Sequence, residues 1–141
     1  MMPDPQWWRS LLATSDVLAT EDAAEVRRWT SGSSVDEEGA EAPPLLLRLS
    51  HLGEVLAERV DDVPESDRRA FFRILDGVLA DGDQSEKDAV ATGFLESMMA
   101  AGDRGFDLRG VWHELGPRSQ QYCRDWNAFT GVRSPRWMRS S

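Results

Sequence analysis

Two histidines and one cysteine are the side chains best suited to acid, base or nucleophilic chemistry. His113 and Glu114 begin like the zinc-protease helix motif, but Pro117 stands where the second histidine is needed, which excludes that motif. His51 lies on a leucine-rich segment, where we expect a partly buried, hydrogen-bonded imidazole. Cys123 needs a histidine neighbour to act as a nucleophile, so we predict a free structural thiol. We expect no catalytic residue.

An acidic turn resembles the start of a calcium-binding loop. Asp81, Asp83 and Ser85 alternate as the first, third and fifth ligands of such a loop do. The sixth position, normally glycine, is Glu86, and the twelfth, normally glutamate, is Thr92. The sequence also contains no glycine-rich phosphate loop and no cysteines spaced for zinc. We therefore expect neither a bound metal nor a cofactor.

The same turn joins two predicted helices. Gly82 is expected to end the first helix in the left-handed conformation, and Ser85 with Asp88 has the form of a capping box for the second. The turn itself is then 81–84. Apolar residues recur beyond it at spacings of three and four, which predicts a helix central to the fold. These residues are Val90, Ala91, Phe94, Leu95, Met98 and Met99.

This region also carries a resemblance to a known family. Gly82-Asp83, the run AVATGFLE at 89–96, ELGPRS at 114–119 and Trp126 resemble a poorly characterised family of small acidic all-helical bacterial proteins. Such proteins are often encoded beside secreted polymorphic toxins. The resemblance covers roughly residues 44–130 and implies an immunity or accessory protein. Its motifs are structural rather than catalytic.

Further helical patterns lie on both sides of this stretch. Short ones fall in residues 1–30, the second starting near Thr20, and a broad apolar face covers 45–60. Ser66 is expected to cap a helix that reaches Gly82. Asp107 is expected to cap a short helix, and Pro117 to lie in the first turn of the last one. No segment alternates with period two, so the chain is predicted to be all-α.

The predicted architecture is a single domain of about six to seven helices. It is either an irregular antiparallel bundle or a short armadillo/HEAT-like helix stack, in which consecutive helices pack antiparallel. Residues 1–30 form short N-terminal helices, 31–44 an acidic Gly/Ser/Pro loop, 45–132 the helical core and 133–141 a basic tail.

Six tryptophans are numerous for 141 residues. Trp112 and Trp126 fall on apolar helix faces, where we expect core positions. Trp7 and Trp8 are adjacent, so one is expected to cover a neighbouring helix while the other is available to a partner. Trp137 lies among three arginines and resembles a small basic and aromatic patch; a solvated or folded-back tail is the preferred interpretation.

Charge is distributed unevenly along the chain, whose net charge is −9. Residues 1–100 hold 21 acidic and 9 basic side chains, whereas residues 101–141 hold 4 and 7. A negative surface repels phosphate backbones and steers a basic protein partner, so we expect no nucleic-acid partner. Acidity for solubility alone is the alternative. Without a signal-peptide pattern or a membrane-length apolar run, we expect a cytoplasmic protein and no membrane partner.

Taken together, these patterns favour an immunity protein that occludes the active site of a cognate bacterial toxin without catalysis of its own. The alternative is a helical-repeat adaptor for an endogenous protein, and a small enzyme is the least favoured class. The predicted contacts are acids near helix ends: Asp61, Asp62, Glu65, Asp67, Asp81, Asp83 and Glu86. They form two groups that one helix separates by roughly 20 Å or more, so one toxin site is expected to use one group.

Overall fold

The structure is a computed structural model that describes residues 4–31 and 43–139. Within these ranges it contains eight helices and no strand, which confirms the all-α class with one helix more than predicted. The first four are α1 (Gln6–Leu12), α2 (Asp16–Ser31), α3 (Leu45–Glu58) and α4 (Glu65–Asp81). α5 comprises the consecutive stretches Gln84–Asp88, Ala89–Leu95 and Glu96–Asp103, and it is followed by α6 (Leu108–Trp112), α7 (Pro117–Phe129) and α8 (Arg136–Arg139). Most of the predicted 31–44 loop and the end of the basic tail lie outside the described residues.

α5 is the central helix, as the apolar pattern predicts. Val90, Phe94, Leu95 and Met98 are fully buried in the core. The middle stretch, Ala89–Leu95, is π-helical rather than α-helical. α3 packs along this stretch, and a Cβ added at Gly93 would lie 2.6 Å from the backbone oxygen of Leu46. The two helix backbones therefore approach closely because residue 93 has no side chain.

Helix pairing differs from the simple antiparallel order. Leu46 lies beside Gly93, and Ser97 Oγ donates to the carbonyl oxygen of Ser50 at 2.8 Å. Position along α3 thus advances together with position along α5, so these two helices run in the same direction. α4 reverses the chain between them. The closest partner of α3 is therefore the helix after next, and the bundle is irregular.

The start of α5 is a capping box, but its residues differ from those predicted. Asp83 is the N-cap: its Oδ1 accepts from the Glu86 N–H at 2.8 Å, and Glu86 Oε1 accepts from the Asp83 N–H at 3.0 Å. Ser85 lies inside the helix. Gly82 is extended, with φ −69° and ψ 165°, so the left-handed prediction is wrong. Glycine is needed there because a Cβ would lie 2.7 Å from the carbonyl oxygen of Val78.

Two other predicted helix starts were misplaced and two are correct. α4 begins at Glu65 after Pro64, so Ser66 is not its cap, and α2 begins at Asp16 instead of near residue 20. Asp107 does cap α6, since its side chain accepts from the Gly110 N–H. Pro117 does lie in the first turn of α7.

The N-terminal helices share the core of the rest of the chain. Trp8, Leu11 and Leu18 are buried in the same apolar cluster as α4 and α5. Arg48 of α3 donates from Nε and Nη2 to the two carboxylate oxygens of Asp22 at 3.0 and 2.6 Å. Its guanidinium also lies 4.8 Å from the centre of the Trp8 ring. Burial of both charges as a pair fixes α2 against α3.

A buried carboxylate joins α4 to the start of α7. Asp76 Oδ1 accepts from the backbone N–H groups of Arg118 and Ser119 at 2.9 and 3.0 Å. A Cβ at Gly116 would lie 2.3 Å from Asp76 Cγ, so glycine makes room for this carboxylate. Glu114, two residues before Gly116, accepts two hydrogen bonds from the guanidinium group of Arg68. The ELGPRS run is thus a junction between helices.

The end of the described chain folds back on the bundle. Met138 is buried, and the Trp137 ring packs edge-on against Trp112 with centroids 5.6 Å apart. Trp126, predicted as a core residue, is only partly buried and stacks on Phe129, which is 82 % exposed. None of the helices described is both long enough and apolar enough to cross a bilayer.

Candidate partner-binding site

The seven acids predicted to contact a partner lie in two groups at the two ends of α4. The start acids are Asp61, Asp62, Glu65 and Asp67, and the end acids are Asp81, Asp83 and Glu86. α4 has 17 residues. At about 1.5 Å per residue this length separates the groups by roughly 24 Å. The separation agrees with that expected from the sequence, and the two groups are distinct surfaces.

Arginines compensate part of the charge of the start acids. Arg59 Nε lies 3.1 Å from Asp62 Oδ2, and Arg69 Nε lies 2.9 Å from Glu65 Oε2. The hydrogen bond from Arg69 lowers the pKa of the Glu65 carboxyl, with the Arg69 charge as the second cause. A basic partner would have to compete with these guanidinium groups. Asp61 and Asp67 form no ion pair in the described ranges, so the arginines compensate only part of the negative charge at this end of α4.

The end acids, by contrast, form no ion pair with any residue in the described ranges. Their bonds come from neutral donors: Asp83 and Glu86 accept from each other's backbone, and Glu86 Oε2 accepts from Trp7 Nε1 at 2.6 Å. Asp81 is exposed. Neutral donors orient carboxylates without cancelling their charge. The negative charge at this end is available to a partner.

A groove opens beside the end acids. Its volume is about 350 Å³, and its lining residues are Trp7, Ile74, Gly77, Val78, Asp81, Gly82 and Glu86. Two predicted contacts, Asp81 and Glu86, therefore line a single groove, and Asp83 caps the adjoining helix. Trp7 forms one wall, while Trp8 is buried with 1 % exposure and contacts the Trp7 ring edge-on. Trp8 is thus a core residue, and Trp7 is partly buried at the groove; its availability to a partner stays a prediction.

Two helix ends meet beside the groove. Carbonyl groups without helical partners leave a partial negative charge of roughly half an electron at the C-terminal end of α4, whose last turn contains no basic residue. The N-terminal end of α5, where Asp83 and Glu86 lie, has a partial positive charge of similar size, so the negative potential of the groove comes from its carboxylates. An apolar floor with an acidic rim is the environment that suits a lysine or arginine side chain, whose stem is apolar and whose head is cationic.

Sequence reasoning missed the floor of the groove. Ile74 and Val78 look like ordinary core residues in a helical pattern. Gly77 does give a signal, because glycine inside a helix is costly and calls for a structural reason. Among the residues that the structure describes, no heavy atom lies within 4 Å of a Cβ placed at Gly77. Residue 77 therefore faces open space, and a side chain there would fill the groove.

Cys123 and His51, which the sequence predicts to be structural, are both at least partly buried. Cys123 is fully buried, and burial raises the pKa of its thiol to about 12, so it is protonated at neutral pH. His51 is partly buried, as expected, with Nδ1 3.8 Å from Glu25. The expected hydrogen bond of the imidazole is not found at its buried Nε2, to which no described group bonds.

A histidine and two glutamates do come together elsewhere. Glu65, His113 and Glu114 bring their ligand atoms within 4.8 Å of one another, a contact that the sequence did not predict. Arg68, however, holds both oxygens of Glu114 at 2.8 Å, and Arg69 holds Glu65. Two guanidinium groups at the same carboxylates oppose a divalent cation electrostatically. This cluster is an ion-pair network between α4 and the turn that follows α6.

Comparison with protein-family models, curated proteins and solved structures finds no match for this chain. The resemblance to small acidic helical proteins therefore stays a prediction from the residues that carry it. The candidate site rests on geometry and charge within the described residues.

Proposed function

We propose that this chain is an immunity protein that neutralises a cognate toxin, and that the groove beside the end acids receives a basic segment of that toxin. The main support is that the carboxylates at the end of α4 have no ion-pair partner among the described residues. They lie beside a groove of which Trp7 forms one wall. Tryptophan beside an apolar pocket is the kind of residue that concentrates binding energy at interfaces.

Charge supports a basic partner. The three end acids place several negative charges within a few residues, which accelerates association with a positive surface. A toxin cleft that binds a phosphate backbone must be basic, and an acidic surface inserted there competes with its substrate. The family resemblance suggests a toxin as the partner, and the groove is the surface that we propose to bind it. No catalytic residue is needed for occlusion.

Co-expression with the product of the adjacent gene tests this function, with host survival and co-purification scored together. We expect both signals for the native chain. Co-purification without protection would favour the adaptor alternative, in which the same groove binds an endogenous protein. Absence of both signals would contradict the proposed toxin partner.

A variant that fills the groove separates binding from folding. Gly77→Leu places a side chain in open space on an exposed helix face, where leaving glycine raises helix stability by about 0.5–1 kcal/mol. We expect weaker toxin binding from a chain that is at least as stable. Unchanged protection by this variant would exclude the groove as the contact.

Charge reversals supply the matched controls. Asp81→Lys is expected to slow association about tenfold at low salt and to lose most of that effect at high salt. Asp61→Lys makes the same charge change at the other end of α4, roughly 24 Å away, and is expected to have a much smaller effect. Equal effects would mean that overall charge, rather than the groove, governs association.

A further inference from the structure

The end of α7 presents an exposed apolar surface. We call residues 128–133 the α7 tip, and all of them are exposed. Two of them, Phe129 and Val132, are large apolar residues with 82 % and 54 % exposure. The Phe129 ring stacks on partly buried Trp126 with centroids 5.9 Å apart. Neighbouring apolar side chains that are exposed together, unlike a single one, indicate a surface that binds another molecule.

Hydrogen bonds fix the shape of the α7 tip. Gly131 has φ +78°, the left-handed conformation that ends a helix, and the Val132 N–H donates to the Asn127 carbonyl oxygen at 2.7 Å. The Thr130 hydroxyl donates to the Trp126 carbonyl oxygen at 3.0 Å. Because the tip is ordered before it binds, little conformational entropy is lost when it enters a groove.

The region around the α7 tip is positively charged. Residues 126–139 contain three arginines and no acidic residue. The cleft beside the tip is also lined by two acids and one further arginine, which together add one negative charge: Asp103, Asp107 and Arg109. The region therefore keeps a positive charge, and its apolar side chains lie beside that charge.

The groove beside the end acids has the complementary properties. Asp81 and Glu86 line it and are negative, and Gly77 leaves space for a side chain above the apolar floor. Its volume of about 350 Å³ is large enough to receive an aromatic ring. Phe129, with the positive Arg133 four residues later, matches this groove in both polarity and charge.

The α7 tip cannot reach the groove of its own chain. Val132 lines a cleft together with Gly102, near the end of α5, whereas Glu86 of the groove lies near the start of α5. At about 1.5 Å per residue, these two positions on α5 are roughly 20 Å apart. A tip that fills the groove must therefore come from another molecule.

We infer that the α7 tip of one copy of this chain inserts into the groove of a second copy. Phe129 packs on the apolar floor beside Trp7, and Arg133 pairs with Asp81. The contact joins two different surfaces, one from each copy. It is small, so the association is weak and transient. The toxin proposed above uses the same groove and displaces the second copy; that competition rests on the proposed function, whereas the self-association does not.

Sedimentation velocity of the full chain tests this contact without a toxin. Gly77→Leu fills the groove and keeps the tip, and Phe129→Ser removes an exposed ring and keeps the groove. We expect the average mass of the native chain to rise well above that of a monomer by about 1 mM, and each variant alone to stay monomeric. An equimolar mixture of the two variants should form a dimer, because one intact tip and one intact groove remain in each pair.

Leu47→Ser is the matched control. It removes another exposed apolar side chain, on α3, and should leave the self-association unchanged. A native chain that is monomeric at about 1 mM would overturn the inference, as would a mixture of the two variants that stays monomeric there. Self-association of either variant alone as strong as that of the native chain would overturn it too. None of these results involves the toxin, so the proposed function is judged separately by host survival.

Discussion

Replacing Asp76 by alanine is expected to lower the free energy of unfolding by about 2–4 kcal/mol. Asp76 is 8 % exposed, and its carboxylate accepts from two backbone N–H groups at the first turn of α7. Ser119 is 1 % exposed, so its N–H cannot turn to water when the acceptor is removed. An unsatisfied buried N–H costs about 1–3 kcal/mol. The lost attraction between the carboxylate and the positive end of α7 adds about 0.3–1 kcal/mol.

Two further variants separate these contributions. Asp76→Asn keeps an acceptor oxygen and removes the charge, so it should cost only about 1 kcal/mol. Arg118→Ala removes the ion pair at 3.3 Å but leaves the backbone N–H. The Arg118 side chain is 57 % exposed, and we expect a loss under about 0.5 kcal/mol.

Urea unfolding followed by far-ultraviolet circular dichroism gives the free energies, and amide hydrogen exchange at Ser119 reports the local effect. Faster exchange at that amide should accompany the alanine variant. A loss under about 0.5 kcal/mol for Asp76→Ala, or equal losses for the alanine and asparagine variants, would contradict this role of the carboxylate.

Phe94→Ala is expected to cost about 3–5 kcal/mol in urea unfolding, because the ring is fully buried against Phe71 with centroids 5.2 Å apart; exposed Thr92→Ala on the same helix should cost up to about 1.5 kcal/mol, because its hydroxyl bonds to partly buried Tyr122, and a similar cost for both would contradict the placement. Cys123, with its pKa raised to about 12 by burial, is protonated in the folded state while the unfolded thiol ionises near its ordinary value. The free energy of unfolding should therefore be unaffected by this thiol below the ordinary pKa and fall by about 1.4 kcal/mol per pH unit between roughly pH 9 and 12. Urea titrations at each pH measure this decrease, and Cys123→Ala should remove the part of it that the thiol causes.

Local patterns in the sequence predicted the helices and some of their ends. Asp107 and Pro117 act where they were expected because capping depends on residues only a few positions apart. The start of α5 was misassigned because Asp83 with Glu86 and Ser85 with Asp88 fit the same short pattern. Backbone geometry around Gly82 decides between them, and the pattern does not encode that geometry.

Contacts between distant residues were beyond the reach of sequence patterns. The hydrogen bond from Trp7 to Glu86 joins residues that are 79 positions apart in the sequence, and the one from Ser119 to Asp76 joins residues that are 43 positions apart. In the sequence, nothing distinguishes Glu86 or Asp76 from the other members of the 25 acidic residues. Which acids are neutralised depends on where arginines come to lie in the folded state. The two groups at the ends of α4 could therefore be located from sequence, but only the folded structure distinguishes them.

The π-helical stretch Ala89–Leu95 has a consequence for comparing this chain with others. Its backbone hydrogen bonds run from an N–H group to the carbonyl oxygen five residues earlier, as from Glu96 to Ala91. Such a turn takes up one residue more than an α-helical turn does. A relative with a regular helix here would keep the same buried faces on both sides and be one residue shorter. Its alignment gap should therefore fall inside the most buried helix, rather than in a surface loop.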